Sequence, residues 1–180
     1  LRGARLGVVR GPFGFHPRME VFLNGQVKAL QAAGAEIVEL GDFPNLAKVP
    51  DPELEVLLYE FKAGLNAYLA TLGPTAPVKT LAEVIRFNEA HRADEMPFFA
   101  QELLLRAEAK GPLTEKAYLD ARATCLRIVR TEGIDALMEQ HRLDALVGAG
   151  LGAAAMAGYP SVTVPFGAGT PLPTGFLFCG

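Results

Sequence analysis

The sequence predicts an α/β fold. Two observations carry this. The first forty residues read strand, helix, strand with short joints, and the last forty read as short apolar or β-branched runs cut by Gly and Pro. Between them lie apolar residues at helical spacing. At 180 residues the default is one domain over 1–180, long enough to bury a core.

The elements follow in order. Residues 5–10 (Arg-Leu-Gly-Val-Val-Arg) are short, apolar and closed by Gly11-Pro12, which predicts a buried strand. A Gly/Pro-rich loop occupies 12–17. A helix is expected over 18–33, because Met19, Leu23, Val27 and Leu30 share one face and Gly34 suits the left-handed position after a helix end. Residues 35–40 predict a second strand, parallel to the first because the intervening helix provides a crossover.

Asp51 or Pro52 opens the next helix, and Gly73-Pro74 stops it. Its apolar stripe runs through Leu54, Leu57, Leu58, Phe61, Leu65, Tyr68, Leu69 and Leu72. Thr80 is expected to cap a helix reaching 91, with Leu81, Val84, Ile85 and Asn88 on related faces. A further helix is expected over 97–109. Thr114 then opens a long one reaching 141, with Tyr118, Cys125, Ile128, Val129 and Leu137 as core candidates and Gly133 as an interruption. Residues 143–147 predict a third strand, 148–156 a small-residue helix, and 162–164 and 175–179 the last two strands, with Pro171 and Pro173 marking the turn between them.

Composition excludes several function classes. A net charge of −3 and a pI near 5.7 leave no basic stripe for nucleic acid or anionic membrane. No run reaches the length of a membrane span; the longest apolar stretch, 143–166, is broken by Asp144, glycines and two prolines. No signal peptide is read at the start, and Cys125 and Cys179 have no metal or redox spacing, so a cytoplasmic chain with free buried thiols is expected. The apolar share of 50% and mean hydropathy of +0.21 fit a core-heavy domain, or a piece of a larger protein still carrying its interface. Both ends, Leu1-Arg2-Gly3 and Phe178-Cys179-Gly180, read as cut.

Motifs for chemistry are sparse. Gly148-Ala149-Gly150-Leu151-Gly152-Ala153 fits the dinucleotide pattern after a strand, but no Asp or Glu follows Asp144 to hold a ribose. Small residues for close helix–sheet packing explain it better. Ser161 is the only serine and sits in Tyr-Pro-Ser-Val-Thr, not in a nucleophile elbow. It reads as a turn residue, with no motif tying it to His16, His91 or His141. The acidic groups Glu89, Asp94 and Glu95 with His91, and His141 with Asp144, lack metal-ligand spacing, so no metal is expected. Glu60 and Lys62 flank Phe61 on the apolar stripe and read as a solvated or snorkelling pair.

Several blocks then resemble one family. Residues 1–9, the stretch Leu57-Leu58-Tyr59-Glu60-Phe61-Lys62-Ala63-Gly64-Leu65-Asn66-Ala67-Tyr68-Leu69, Thr80 to Ile85 with Asn88, Phe99-Ala100-Gln101-Glu102-Leu103-Leu104 and Leu143-Asp144-Ala145-Leu146-Val147 are similar to the second half of amidase signature enzymes, in that order. Ala157-Gly158-Tyr159-Pro160-Ser161-Val162-Thr163-Val164-Pro165 resembles the family's A-G-Y-P-S-x-T-V-P block, and 173–178 its closing strand. The peptide-amidase-like branch is the nearest in pattern. The resemblance implies a mixed, twisted sheet flanked by helices, a partial amidase signature fold. It implies hydrolysis of carboxamide C–N bonds through a Ser–cis-Ser–Lys triad, with no metal or organic cofactor.

In the family the lysine and both serines lie upstream of these blocks, so no catalytic residue is assigned in this chain. Where the family has a Pro-containing loop before A-G-Y-P only 148–156 intervene, so either the loop is deleted or a flexible stretch is absent from this sequence. The expectation is the C-terminal portion of a single amidase domain, inactive alone, whose partners are a small-molecule or peptide amide substrate and the missing N-terminal half of the same domain. Phe61 and Gln101 are the substrate-binding candidates, because they sit in family-like helices. The alternative is a truncated, non-catalytic binding or scaffold module. In either case exposed apolar surface makes self-association possible.

Overall fold

The computed structural model describes residues 1–11, 17–148, 152–165 and 175–180. It contains two compact units. The first comprises Leu1–Val49 with Thr124–Gly180, and the second is Pro50–Ala123.

The first unit is a five-stranded mixed sheet in the order β2-β1-β3-β5-β4. Its strands are β1 (Arg5–Val9), β2 (Glu36–Gly41), β3 (Ala145–Gly148), β4 (Ser161–Pro165) and β5 (Gly175–Cys179). β1 pairs in parallel with β2 and β3, while β5 pairs antiparallel with β3 and β4. Helix α1 (Pro17–Ala32) supplies the crossover that a parallel β1–β2 pair requires. It ends in a Schellman motif. Gly34 sits at φ 95°, its N–H reaches the Gln31 carbonyl, and the Ala35 N–H reaches that of Leu30.

Side-chain alternation splits the core across the two faces of the sheet. Leu6, Val8, Val147 and Phe176 pack with Leu23 and Val27 of α1. Val9, Leu146 and Cys179 pack on the other face with Phe43, Ile128, Val129, Ile134 and the small residues Ala153, Ala154 and Ala157 of α8 (Ala153–Ala157). Small side chains let α8 lie close to its neighbours, the role expected for this segment. Residues 149–151 of the glycine-rich stretch, His16, and the Pro171/Pro173 turn lie outside the described residues.

The long helix expected over 114–141 is one run with a widened middle. α6 (Lys116–Leu126) passes into nine residues of π-helix, Arg127–Asp135, and then into α7 (Ala136–His141). Gly133 does not end the helix. It lies in the π segment, where a Cβ would meet the Phe43 ring at 2.4 Å and the Ile128 carbonyl oxygen at 2.8 Å. The sequence shows a breaker; the structure shows a close approach that only glycine allows. α7 ends in another Schellman motif, with Arg142 at φ 50° and the Leu143 N–H bonded to the Met138 carbonyl.

The second unit packs α2 (Pro50–Thr71), α3 (Leu81–Ala90) and α5 (Glu102–Glu108) around Leu58, Leu81 and Ala107. The short α4 (Arg92–Glu95) lies between α3 and α5. Side chains cap the joint from α2 to α3. Lys79 Nζ donates to the Leu72 carbonyl at 2.7 Å, Thr80 Oγ1 accepts from the Glu83 N–H, and Asn66 Oδ1 accepts from the Leu81 N–H at 2.8 Å. The helix expected from 97 begins only at Glu102. Residues 96–101 are not helical, and Phe98 and Phe99 there are 92% and 80% exposed.

Candidate functional site

The candidate residues Phe61 and Gln101 both belong to the second unit, so its side chains decide what each can do. α2 presents its apolar stripe unevenly. Leu58 and Leu69 are buried, while Leu57, Phe61 and Tyr68 remain exposed. Phe61 joins Leu54, Leu57, Leu58, Leu103 and Leu104 around a cavity of about 300 Å³ lined by apolar residues alone. Nothing in that lining can orient a polar group.

Gln101 lies in a second cavity, of about 350 Å³, bounded by Asn88, Glu95, Met96, Phe99, Leu103 and Leu104 among others. The two cavities share Leu103 and Leu104 as a common wall. The structure therefore places the two candidates in neighbouring hollows rather than side by side.

Gln101 is the one buried polar side chain among the described residues. Its amide is engaged by α3. Nε2 donates to the Ile85 carbonyl at 3.2 Å, and Oε1 accepts from Asn88 Nδ2 at 3.2 Å. A buried amide must find such partners. Nearby Glu89 has its carboxyl held below its ordinary range chiefly by the Arg92 guanidinium. Gln101 thus ties α3 to the start of α5 and orients Asn88. Asn88 spends one N–H on Gln101 and is itself one of the residues lining the cavity. Sequence reasoning did not single out Asn88 as a site residue. The available signal was a polar residue on a stripe shared with Leu81, Val84 and Ile85.

Glu60 and Lys62, expected as a solvated or snorkelling pair, are exposed and half-buried and also tie elements together. Lys62 Nζ donates to the Glu108 and Lys110 carbonyls at 2.6 and 2.8 Å, a cation set on the C-terminus of α5. Glu60 accepts from the Tyr118 hydroxyl at 2.8 Å. Beside them Tyr59 donates to Glu115 at 2.6 Å, which, with desolvation and the charges of Glu115 and Glu55, pushes its phenol up to about 12. Lys110 bonds Glu55 at 2.7 Å and lies 5.3 Å from the centre of the Tyr59 ring.

In the first unit the Ala157 to Pro165 block is a helix stop followed by a strand. Gly158 takes φ 76°, and the Tyr159 N–H bonds the Ala154 carbonyl at 2.9 Å. The Tyr159 hydroxyl donates to Asp135, which raises its pKa, and its ring faces the Arg130 guanidinium at 5.4 Å. Ser161 opens β4 opposite Cys179 and is exposed. His91 bonds the Phe87 carbonyl at 2.8 Å on α3, and His141 closes α7; neither stands on the strand that carries Ser161. Among the described residues no cluster of His, Cys, Asp and Glu is arranged to hold a metal.

No family model matches the chain. Solved structures do. The native peptide amidase from Stenotrophomonas maltophilia is 40% identical, superposes with a TM-score of 0.88, and is matched over 99% of this chain. A peptide amidase in complex with the competitive inhibitor chymostatin is 39% identical at a TM-score of 0.89. Over nearly its whole length the chain is similar to part of these peptide amidases. A probable amidase of Arabidopsis thaliana is 34% identical over 175 residues. An amidase family protein from Bacillus anthracis is 28% identical at a TM-score of 0.81. The mixed sheet with flanking helices is the part of the amidase signature fold that the blocks implied. The chain spans 39% of the Stenotrophomonas enzyme and 32% of the plant one. Among the described residues no helix is long and apolar enough to cross a membrane.

Proposed function

We propose that this chain is the C-terminal portion of a carboxamide C–N hydrolase of the peptide amidase type. It supplies core sheet and a wall of the substrate pocket, and is inactive alone. One observation carries the reading: near-complete coverage of this chain by peptide amidases at 39% identity, against 40% coverage of theirs. In this reading the reacting serine, the cis-serine and the lysine belong to the portion the chain does not span. The substrate is a small-molecule or peptide amide, and the principal partner is the N-terminal portion of the same domain. Single-domain organisation over 1–180 is part of the same proposal. Phe61 and Gln101 belong to the pocket wall, Phe61 by apolar contact and Gln101 by orienting Asn88.

The test is a chimera carrying the upstream part of the Stenotrophomonas peptide amidase before Leu1. Ammonia release from peptide amides is expected from the chimera and not from the 180-residue chain. Turnover by the chain alone, or a folded chimera without activity, refutes the proposal.

A further inference from the structure

α7 closes on a residue that its backbone position disfavours. α1 and α8 end on left-handed glycines, Gly34 at φ 95° and Gly158 at φ 76°, which carry no Cβ to clash. At the same place α7 has Arg142, at φ 50°. The one other described non-glycine residue with a positive φ is Asn45, and asparagine tolerates that region. An arginine there costs stability, so its side chain points to a use other than folding. It lines an open hollow of about 530 Å³ with Arg5, Gln140 and His141. Among the described residues the side chains of Gln140, His141 and Arg142 make no hydrogen bond or ion pair. The acceptors around them are already taken. Arg5 is paired with Glu36, and its Nε donates to the His141 carbonyl at 2.7 Å. The Arg142 N–H takes the Glu139 carbonyl, and the Asp144 carboxylate receives the Arg5 N–H at 2.7 Å. What remains is a guanidinium with five donors and no acceptor, beside an imidazole and a carboxamide.

We infer that this hollow binds a soluble ligand through a phosphate group, held in the Arg142 fork with His141 and Gln140 as further hydrogen-bond partners. A guanidinium matches two phosphate oxygens at once. The third oxygen of a phosphate group meets a donor from another direction, which a planar carboxylate does not offer. The volume leaves room for the group that carries the phosphate, and no apolar side chain lines it to receive an acyl chain. The inference stands on the first unit alone and does not depend on the hydrolase reading.

The test titrates the 180-residue chain with inorganic phosphate, with pyrophosphate and, at equal ionic strength, with acetate. Binding is read by the Nε–Hε signal of Arg142 in heteronuclear NMR and by the thermal midpoint. Phosphate and pyrophosphate are expected to shift that signal and saturate, and to bind at least about tenfold more tightly than acetate. Arg142→Gly should lose at least about tenfold in phosphate affinity while its ligand-free midpoint does not fall, and Arg142→Lys should retain part of the binding. Because glycine relieves the backbone, loss of binding in that variant is not loss of folding. Equal affinity for acetate, shifts that do not saturate, or unchanged phosphate binding in Arg142→Gly overturn the inference. Sedimentation with phosphatidylglycerol vesicles separates the two sources of phosphate. The chain is expected to stay in solution; cosedimentation abolished by Arg142→Gly would assign the site to a lipid surface and overturn the soluble ligand.

Discussion

At the scale of single residues, hydrogen bonds to carboxylates hold the hydroxyls of Tyr59, Tyr118 and Tyr159. Tyr59 is held neutral by Glu115, with a pKa of about 12 against an ordinary value of 10.0. The sign follows from linkage. The folded state binds the phenolic proton more tightly than the unfolded chain, so the contribution is complete below about pH 10 and is lost as pH rises to about 12. Denaturation midpoints are therefore expected to fall across that window, and less steeply in Tyr59→Phe. A midpoint insensitive to the substitution from pH 9 to 12 would count against the assignment. Arg142 offers a second case. It is exposed and occupies a left-handed position that glycine fills without strain. Arg142→Gly should stabilise the chain by roughly 0.5–1 kcal/mol, the relief of a bulky αL residue less the entropy glycine adds to the unfolded chain. Thermal unfolding checks it; a lower midpoint would contradict it.

At the scale of elements, the sequence was most legible where a period and a terminator agreed. β1, α1, β2 and both final strands lie within a residue or so of their predicted bounds, and Gly34 and Gly158 mark helix ends where the backbone takes a left-handed turn. It was least legible where tertiary contact overrode local preference. Residues 97–101 read as helix from composition, yet Gln101 serves α3 with its side chain, and the helix waits until Glu102. Gly133 read as a break, yet the widened turn and the Phe43 ring account for it. Gly133→Ala improves helix propensity by about 1 kcal/mol but drives a methyl against a backbone carbonyl that cannot rotate away. A net loss of roughly 1–3 kcal/mol is expected in urea denaturation. An unchanged midpoint would mean that the π segment relaxes to an α-helix.

At the scale of the whole molecule, the candidate site was legible only through resemblance. Nothing in the spacing of Phe61 or Gln101 distinguishes them from core residues. The hydrogen bond that makes Asn88 interesting joins side chains 13 residues apart, across the connection that contains α4. The two sheet edges differ in a way the sequence does show. β2 carries Glu36 and Glu39, paired with Arg5 and Arg10, whereas β4 carries no charge and exposes Val162 and Val164 at 63% and 48%. Charged edges resist strand addition, and bare apolar ones invite it. The isolated chain is expected to self-associate in gel filtration, eluting ahead of its 19.2 kDa mass, and Val162→Lys with Val164→Lys should return it to a monomer. Elution as a monomer at all concentrations would dismiss the edge as a liability.

The pairing of Leu6 with Ala145 also sets a timetable. β1 and β2 leave the ribosome early, but the strand that completes their sheet follows some 139 residues later, the separation of the Arg5 N–H from the Asp144 carboxylate it binds. At about 5–20 residues per second, that delay is roughly 7–30 seconds. All of Pro50–Ala123 is synthesised within it. The helical unit, rich in near-sequence contacts, has time to fold while the first strands wait with one edge unpaired. Cells making this chain faster than it can close its sheet would expose that edge to neighbouring nascent chains, so slowing translation ahead of β3 should shift the product from aggregate to folded protein.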